Sequence, residues 1–325
     1  MLTKQQRIYL SFGVKLALVI LAFWFIVKKV INNKDLENFR QFLINMSGLE
    51  IFILTFLLVG LMLLNWGIEV IKWKRLIKPV ERISYWKAVQ SVFCGLTLAI
   101  FTPNRIGEYG GRIFFLSPKR RVVGVVVMAV GNIGQLVVTN IFGVLAGLWF
   151  LFRFIEIDYW IYYCIVIVGA SFCGLLLVFY LNIRWIKGLL LSFKWTAKYH
   201  KFYNILGRYS QLELIKLFAF AVARYAVFST QYLIIIKWLI PELNSFDVLM
   251  MVCILFFVQS SLPSLAIFDI GIRSLTATHF FGYITDQQTA VVASTACIWL
   301  VNIILPAILG VYFVFKLKIF GYRNA

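Results

Sequence analysis

Six apolar segments, at about 8–27, 49–71, 122–152, 159–183, 214–240 and 289–315, are each long enough to cross a bilayer as a helix, which takes ~18–20 predominantly apolar residues. In lipid, backbone polar groups must be satisfied inside the segment, so runs of this length leave little besides helix. The chain is 62% hydrophobic, against roughly 45–50% apolar in soluble domains. The reading is an all-α polytopic membrane protein. The first segment, "IYLSFGVKLALVILAFWFIV", is too long for a signal-peptide core. Lys28 and Lys29 follow it where a small-residue cleavage site would stand, so it reads as an uncleaved first transmembrane helix.

Two further segments, 88–101 and 248–262, are apolar but short. Each has ~15 residues and reaches only ~22 Å as a helix, short of a ~30 Å hydrocarbon core. They run into Pro103 and Pro263, and Gly-containing sequence leads on to a less apolar arm.

Charge separates the topologies open to these segments. The connections 72–87 and 184–216 and the C-terminus are rich in Lys and Arg, whereas 153–158 and 241–247 are neutral or acidic. Two full crossings by the short segments would put 72–87 and 184–216 on opposite sides, against the positive-inside tendency. If both are re-entrant hairpins, all three basic regions share the cytoplasmic side, at the cost of placing the 28–48 connection outside. The expected architecture is six full transmembrane helices plus two re-entrant helical hairpins in one membrane domain, 1–325. Its first half, 1–152, is followed by an inverted second half, 159–316. Both termini are then cytoplasmic. Inverted repeats with broken helices are a common transporter plan.

Composition also excludes some functions. The net charge of +19 fits basic cytoplasmic loops and anionic lipid surfaces, with no separate basic domain to hold nucleic acid. The five cysteines lie in apolar segments without CxxC spacing, and His200 and His279 are far apart in sequence. No disulfide framework, zinc site or cofactor is expected. The 184–213 connection mixes basic residues with Trp185, Trp195 and Tyr199, as an interfacial amphipathic helix does.

The first break reads "TPNRIGEYGGR". Pro103 stops the preceding helix. Gly107, Gly110 and Gly111 permit turns and close backbone approach. A helix restarting at Ile106 would present free N–H groups to an anion. Arg105 and Arg112 add guanidinium forks that match phosphate, and Glu108 can pair with either arginine or with a cationic headgroup. The functional reading is a phosphate-headgroup site inside the membrane; the structural one is a satisfied ion cluster at a hairpin tip. The second break, "SLPSLAIFDIGIRSLTA", offers Ser264, Asp269 and Arg273 in a matching place. Arg224 lies near the middle of an apolar run and needs a partner, for which Glu108 and Asp269 are the candidates. Glu69 lies near a helix end, where snorkelling suffices.

These paired motifs resemble those of the lysylphosphatidylglycerol synthase transmembrane-region family. Its first motif, Pro-x-Arg-x-Gly-Glu, is matched by Pro103, Arg105, Gly107 and Glu108. Its second usually reads Pro-Ser, a Gly-Gly-x-Gly turn, then Val-Arg-Glu. Pro263, Ser264, Gly271 and Arg273 match, while Phe268 and Asp269 replace the two glycines and Ser274 replaces the glutamate; Asp269 could supply the missing carboxylate. The resemblance implies a flippase-like protein of the bacterial inner membrane that handles an anionic phospholipid or lipid-linked intermediate. In fused members a soluble aminoacyl-transferase domain follows the membrane part; this chain ends at Ala325 soon after its last apolar segment, so lipid aminoacylation is not expected.

Two other functions stand beside translocation. One is a membrane-embedded enzyme on a lipid carrier with Glu108 and Asp269 as acid and base, although neighbouring arginines favour fixed anchors. The other is a non-transporting partner of lipid-biosynthesis enzymes. Expected partners are a membrane phospholipid or lipid-linked headgroup, those enzymes and further copies of the chain.

Overall fold

The computed structural model describes residues 46–100, 102, 105–185, 200–261 and 269–317, with a short stretch at 13–17 and scattered positions elsewhere in the first 44 and at 188 and 192. Most of the first apolar segment lies outside the described residues, as do Pro103, residues 262–268 with Pro263 and Ser264, and the last eight residues. Among the described residues every regular element is helical. In chain order the described α-helices of eight residues or more are α1 (Gly48–Ile77), α2 (Tyr85–Ala99), α3 (Ile106–Ile113), α4 (Arg121–Phe154), α5 (Tyr159–Leu181), α6 (Gln211–Leu239), α7 (Ser245–Ser261), α8 (Asp269–Phe281), α9 (Gln288–Trp299) and α10 (Leu305–Val314). Five described helical spans are long and apolar enough to cross a membrane: α1, α4 with its Pro118 lead-in, α5, α6, and α9 running through to α10. The chain is therefore a multi-pass membrane protein.

Local chemistry sets the helix ends. Ser47 and Glu50 form a capping box at the start of α1, with Ser47 N–H donating to Glu50 Oε2 at 2.9 Å and Glu50 N–H donating to Ser47 Oγ at 3.3 Å. Ser84 caps α2 and Ser210 caps α6 in the same sense. Helix α1 runs six residues past the apolar segment read from sequence. Lys72, Lys74 and Arg75 thus belong to the helix and not to a basic loop. Between α9 and α10 the helix widens into a π turn at Leu300–Ile304, ahead of Pro306; Pro306 has no N–H to donate, and such a turn absorbs the break.

The short helices pack in pairs. Helix α2 has 15 residues and α3 has eight, both too short for a ~30 Å core at ~1.5 Å per residue. They run antiparallel at backbone contact. A Cβ on Gly107 would lie 2.0 Å from the Leu98 carbonyl oxygen, and one on Gly111 would lie 2.3 Å from Gly95 Cα. Gly107 and Gly111 were expected to permit turns and close backbone approach; both lie inside α3, where close approach to α2 is what they permit. The left-handed backbone falls instead to Arg105, at φ 57° and ψ 28°. On another face of α2, Gly310 of α10 lets its backbone approach Phe93, and Thr97 Oγ1 donates to Ala307 O at 2.7 Å. Helices α7 and α8, with 17 and 13 residues, pack on each other likewise.

The two pairs open toward opposite ends of the bundle. At one end Ser117, after α3, donates from its hydroxyl (2.7 Å) and its N–H (3.0 Å) to Glu81, before α2. The Arg75–Glu213 ion pair at 2.9 Å and the bond from Tyr209 Oη to Leu76 O at 2.5 Å draw the end of α1 and the start of α6 together. At the other end Arg153, in the last turn of α4, faces Asp247 at 3.8 Å, and Phe150 packs on Tyr283 just after α8, with ring centroids 4.9 Å apart. Gln287 there donates to Glu242 at 2.6 Å.

Two outcomes follow from this packing. Gly111→Ala is expected to lower stability by about 1–3 kcal/mol or more, since backbone is what the added methyl meets. Gly67→Ala, with nothing within 4 Å of the added atom, is expected to be neutral or slightly stabilising; thermal melts in mild detergent separate the two. At the first end, burial pushes the Glu81 carboxyl up, but the Ser117 hydroxyl and N–H and the Lys87 ammonium outweigh it and hold the group below the usual carboxylate range. Its contribution is present above the unfolded pKa of about 4.3 and is lost as pH falls through the lower folded value. Melting temperatures from pH 7 to pH 3 are expected to show a smaller acid-dependent drop in Glu81→Gln than in the native protein.

Candidate functional site

Three helices supply charged side chains in helical register. Helix α1 carries Asn65, Glu69 and Lys72 at i, i+4 and i+7, one face of a 3.6-residue period. Arg105, Glu108 and Arg112 follow i, i+3 and i+7 through α3, and Arg224 projects from the middle of α6. Glu69 is the hub. Its Oε1 accepts from Arg112 Nη1 at 2.7 Å; its Oε2 meets Lys72 Nζ at 2.7 Å and accepts from Arg224 Nη1. Arg112 Nη2 donates to Glu108 Oε1, and Arg105 Nη2 stands 3.3 Å from Glu108 Oε2. Arg224 Nε donates to Asn65 Oδ1 at 2.9 Å. Two indoles back the guanidinium groups, Trp73 at 5.5 Å from Arg112 and Trp66 at 5.0 Å from Arg224.

The cluster is graded from inside to outside. The side chains of Glu69, Lys72 and Arg112 are 3–4% exposed, Glu108 is 16%, Arg224 17% and Arg105 48%. Beyond it opens a cavity of about 460 Å³, walled by Asn65, Trp66, Glu69, Lys72, Arg105 and Glu108, by Tyr109, Asn132 and Gln135, by Arg224, Tyr225 and Phe228, and by Gln259, Ser260 and Arg273. Stacked rings form part of this wall and its backing: Phe228 on Phe256 at 5.0 Å and Phe142 on Tyr225 at 4.8 Å.

Arg105 and Glu108 from the first break, Arg224, and Arg273 from α8 reach this one cavity. Arg112 lies behind the wall, with both terminal nitrogens on carboxylates. Gly107 is taken up by packing against α2, and its N–H donates to Thr102 Oγ1 at 2.8 Å; this part of the α3 N-terminus is thus already satisfied within the chain. Asp269 is the first residue of α8; Pro103 and Ser264 are outside the described residues. Arg224 takes Glu69 and Asn65 as partners; of the two candidates read from sequence, Glu108 pairs with Arg112 and Arg105, and the side chain of Asp269 lies outside the described residues. Glu69 is buried mid-cluster and does not snorkel, because α1 extends well beyond it.

Asn65, Lys72, Asn132, Gln135 and Gln259 escaped the sequence reading. A signal for some of them is there: Asn132, Gln135 and Thr139 recur at i, i+3 and i+7 within an otherwise apolar helix. Among the described residues no group of three or more His, Cys, Asp and Glu side chains is placed to hold a metal ion. No protein-family model, curated protein or solved structure matches the chain.

Removing the hub strands its partners. Glu69→Gln leaves Arg112, Lys72 and Arg224 without their shared counter-charge, and the loss of one partner from a buried ion group costs about 3–5 kcal/mol. The expected result is a protein that melts far lower in detergent than native. Arg105→Gln, at the exposed rim, is expected to shift the melt by no more than about 0.5 kcal/mol.

Proposed function

We propose that this chain is a lipid translocator of the bacterial plasma membrane that takes an anionic headgroup into the cavity bounded by α1, α3, α4, α6, α7 and α8. The observation that carries the reading is the charge of this site. Among the described residues of the ion cluster, four cations, Lys72, Arg105, Arg112 and Arg224, stand against two carboxylates, Glu69 and Glu108, an excess of two positive charges (4 − 2 = 2), and Arg273 lines the same cavity. Uncompensated charge away from water is costly, and an anionic ligand relieves it. Arg105 and Arg224 are the contacting groups, being the most exposed cations of the cluster. Arg112, Lys72 and Glu69 hold them in place.

The mouth suits a lipid. Leu136 in the cavity wall and Ile106 beside Arg105 are both exposed apolar side chains, so acyl chains can remain in the bilayer while the headgroup enters. The chain's resemblance to the lysylphosphatidylglycerol synthase transmembrane-region family points the same way.

On this reading α2–α3 and α7–α8 are re-entrant hairpins entering from opposite sides, within inverted halves 1–152 and 159–316. The ends drawn together by Glu81–Ser117 and by Arg153–Asp247 support it. The end bearing Arg75, Lys87, Arg120 and Arg208 is cytoplasmic by the positive-inside tendency. Transfer then proceeds by rocking of one half on the other around a fixed headgroup site, with Glu108 steering Arg105 in the pocket.

The test is dithionite quenching of a fluorescent phosphatidylglycerol in proteoliposomes. Arg105→Ala is expected to slow transfer about ten-fold or more, the weight of one charge-assisted hydrogen bond, without loss of folded protein. Transfer at the native rate in both Arg105→Ala and Glu108→Ala would remove these residues from the mechanism.

A further inference from the structure

Resting on the reading of the cavity as a headgroup site, we infer that its headgroup is a polyhydroxylated phosphate, such as a glycerol, inositol or sugar phosphate, and not an aminoacylated, cationic one. The ionic cluster comes from α1, α3 and α6. A second, uncharged polar set reaches the same cavity from α4 (Asn132, Gln135, Thr139) and α7 (Gln259, Ser260). Among the cavity-lining residues, Gln135 Oε1, Gln259 Nε2 and the indole Nε1 of Trp66 are polar atoms buried without a hydrogen-bond partner. Buried polar groups are nearly always paired, so these three specify what a ligand has to bring.

Their chemistry is mixed. Gln135 Oε1 needs a donor, whereas Gln259 Nε2 and Trp66 Nε1 need acceptors. With the Gln135 amide oriented as it is, a phosphate oxygen only accepts and leaves Gln135 Oε1 unmet. An ammonium only donates and leaves Gln259 and Trp66 unmet. A hydroxyl does both, and does so even with either amide turned end for end. The two excess positive charges beside these groups attract the phosphate and repel the ammonium of an aminoacylated lipid. Phosphate toward Arg105 and Arg224, with hydroxyls toward Gln135 and Gln259, satisfies both walls at once.

The experiment uses the purified full chain in phosphatidylcholine nanodiscs. Binding of phosphatidylinositol, phosphatidic acid, phosphatidylglycerol, lysyl-phosphatidylglycerol and soluble inositol 1-phosphate is measured by native mass spectrometry and displacement. Phosphatidylinositol is expected to bind about ten-fold tighter than phosphatidic acid, the weight of one or two net hydrogen bonds. Lysyl-phosphatidylglycerol is expected to bind more weakly than phosphatidylglycerol. Gln135→Leu combined with Gln259→Leu should weaken phosphatidylinositol about ten-fold and phosphatidic acid far less. The lipid ranking in the native protein stands as a test whether or not that variant folds. Equal affinity for phosphatidylinositol and phosphatidic acid overturns the hydroxyl inference and leaves the anionic headgroup reading intact. No binding of any phosphate lipid overturns both. Inositol 1-phosphate displacing as well as the lipid does would keep hydroxyl recognition and assign the site to a soluble phosphate.

Discussion

One buried carboxylate organises the middle of this molecule. Glu69 is almost fully buried, yet it meets a lysine from its own helix, an arginine from α3 and an arginine from α6. A charge in that position is tolerated only when paired and hydrogen-bonded, so each of the three cations is needed by the carboxylate and the carboxylate by each of them. The consequence is geometric. Helices α1, α3 and α6 can approach only in the arrangement that closes this set of contacts, and the indoles of Trp66 and Trp73 then pack on the outer guanidinium faces. Three cations on one anion cannot be neutral by themselves, and Glu108 takes up part of the surplus. The remainder is carried outward to Arg224 and Arg105, where the cavity opens.

A short helix would not hold this position alone. Isolated helices below ~12–15 residues are marginal, and α3 has eight residues with an unfavourable left-handed residue, Arg105, at its start. Its stability comes from the glycine contacts with α2, where two backbones meet without intervening side chains. Such closeness is the usual way helices gain attraction where the hydrophobic effect is weak. It also turns Gly107 and Gly111 toward α2, so the guanidinium of Arg112 is left to reach Glu69 of α1 and the carboxylate of Glu108 to join Arg112 and Arg105. The same packing idea recurs where Gly143 of α4 admits Phe257 of α7, which brings Gln135 and Gln259 to one cavity. Packing and chemistry are linked through these small residues: each removes a side chain from one face and frees the opposite face for polar groups.

Much of this was open to reading from the chain itself, for reasons specific to a membrane environment. The apolar segments at 49–71, 122–152, 159–183, 214–240 and 289–315 correspond closely to helical spans, because bilayer thickness imposes one length scale on hydropathy. The short segments were legible by the same ruler. Arg105, Glu108 and Arg224 stood out because a charge in an apolar run demands an explanation. Glu69 did not, since its position in the apolar run suggested a helix end, and only the continuation of α1 to Ile77 puts it in the middle of the cluster. Lys72 was hidden for the same reason, among the lysines of an apparent loop. Gln135 and Gln259 carry no charge, and amides in a long apolar helix attract little notice until their partners are absent.

The order of residues by itself determined that the chain spans a membrane as helices, that two apolar segments are shorter than the rest, and that arginines and a carboxylate sit at the break after the first of them. Those conclusions follow from properties of single segments, namely length, apolarity and the presence of proline or charge. The tertiary structure alone decided that Glu69 and Asn65 hold Arg224, that Arg112 lies behind the wall while Arg105 lies at its rim, and that amides from α4 and α7 complete the pocket. Those are relations between helices remote in sequence. Contact across 155 residues, as between Glu69 and Arg224, depends on which faces pack, and no local pattern of residues encodes it.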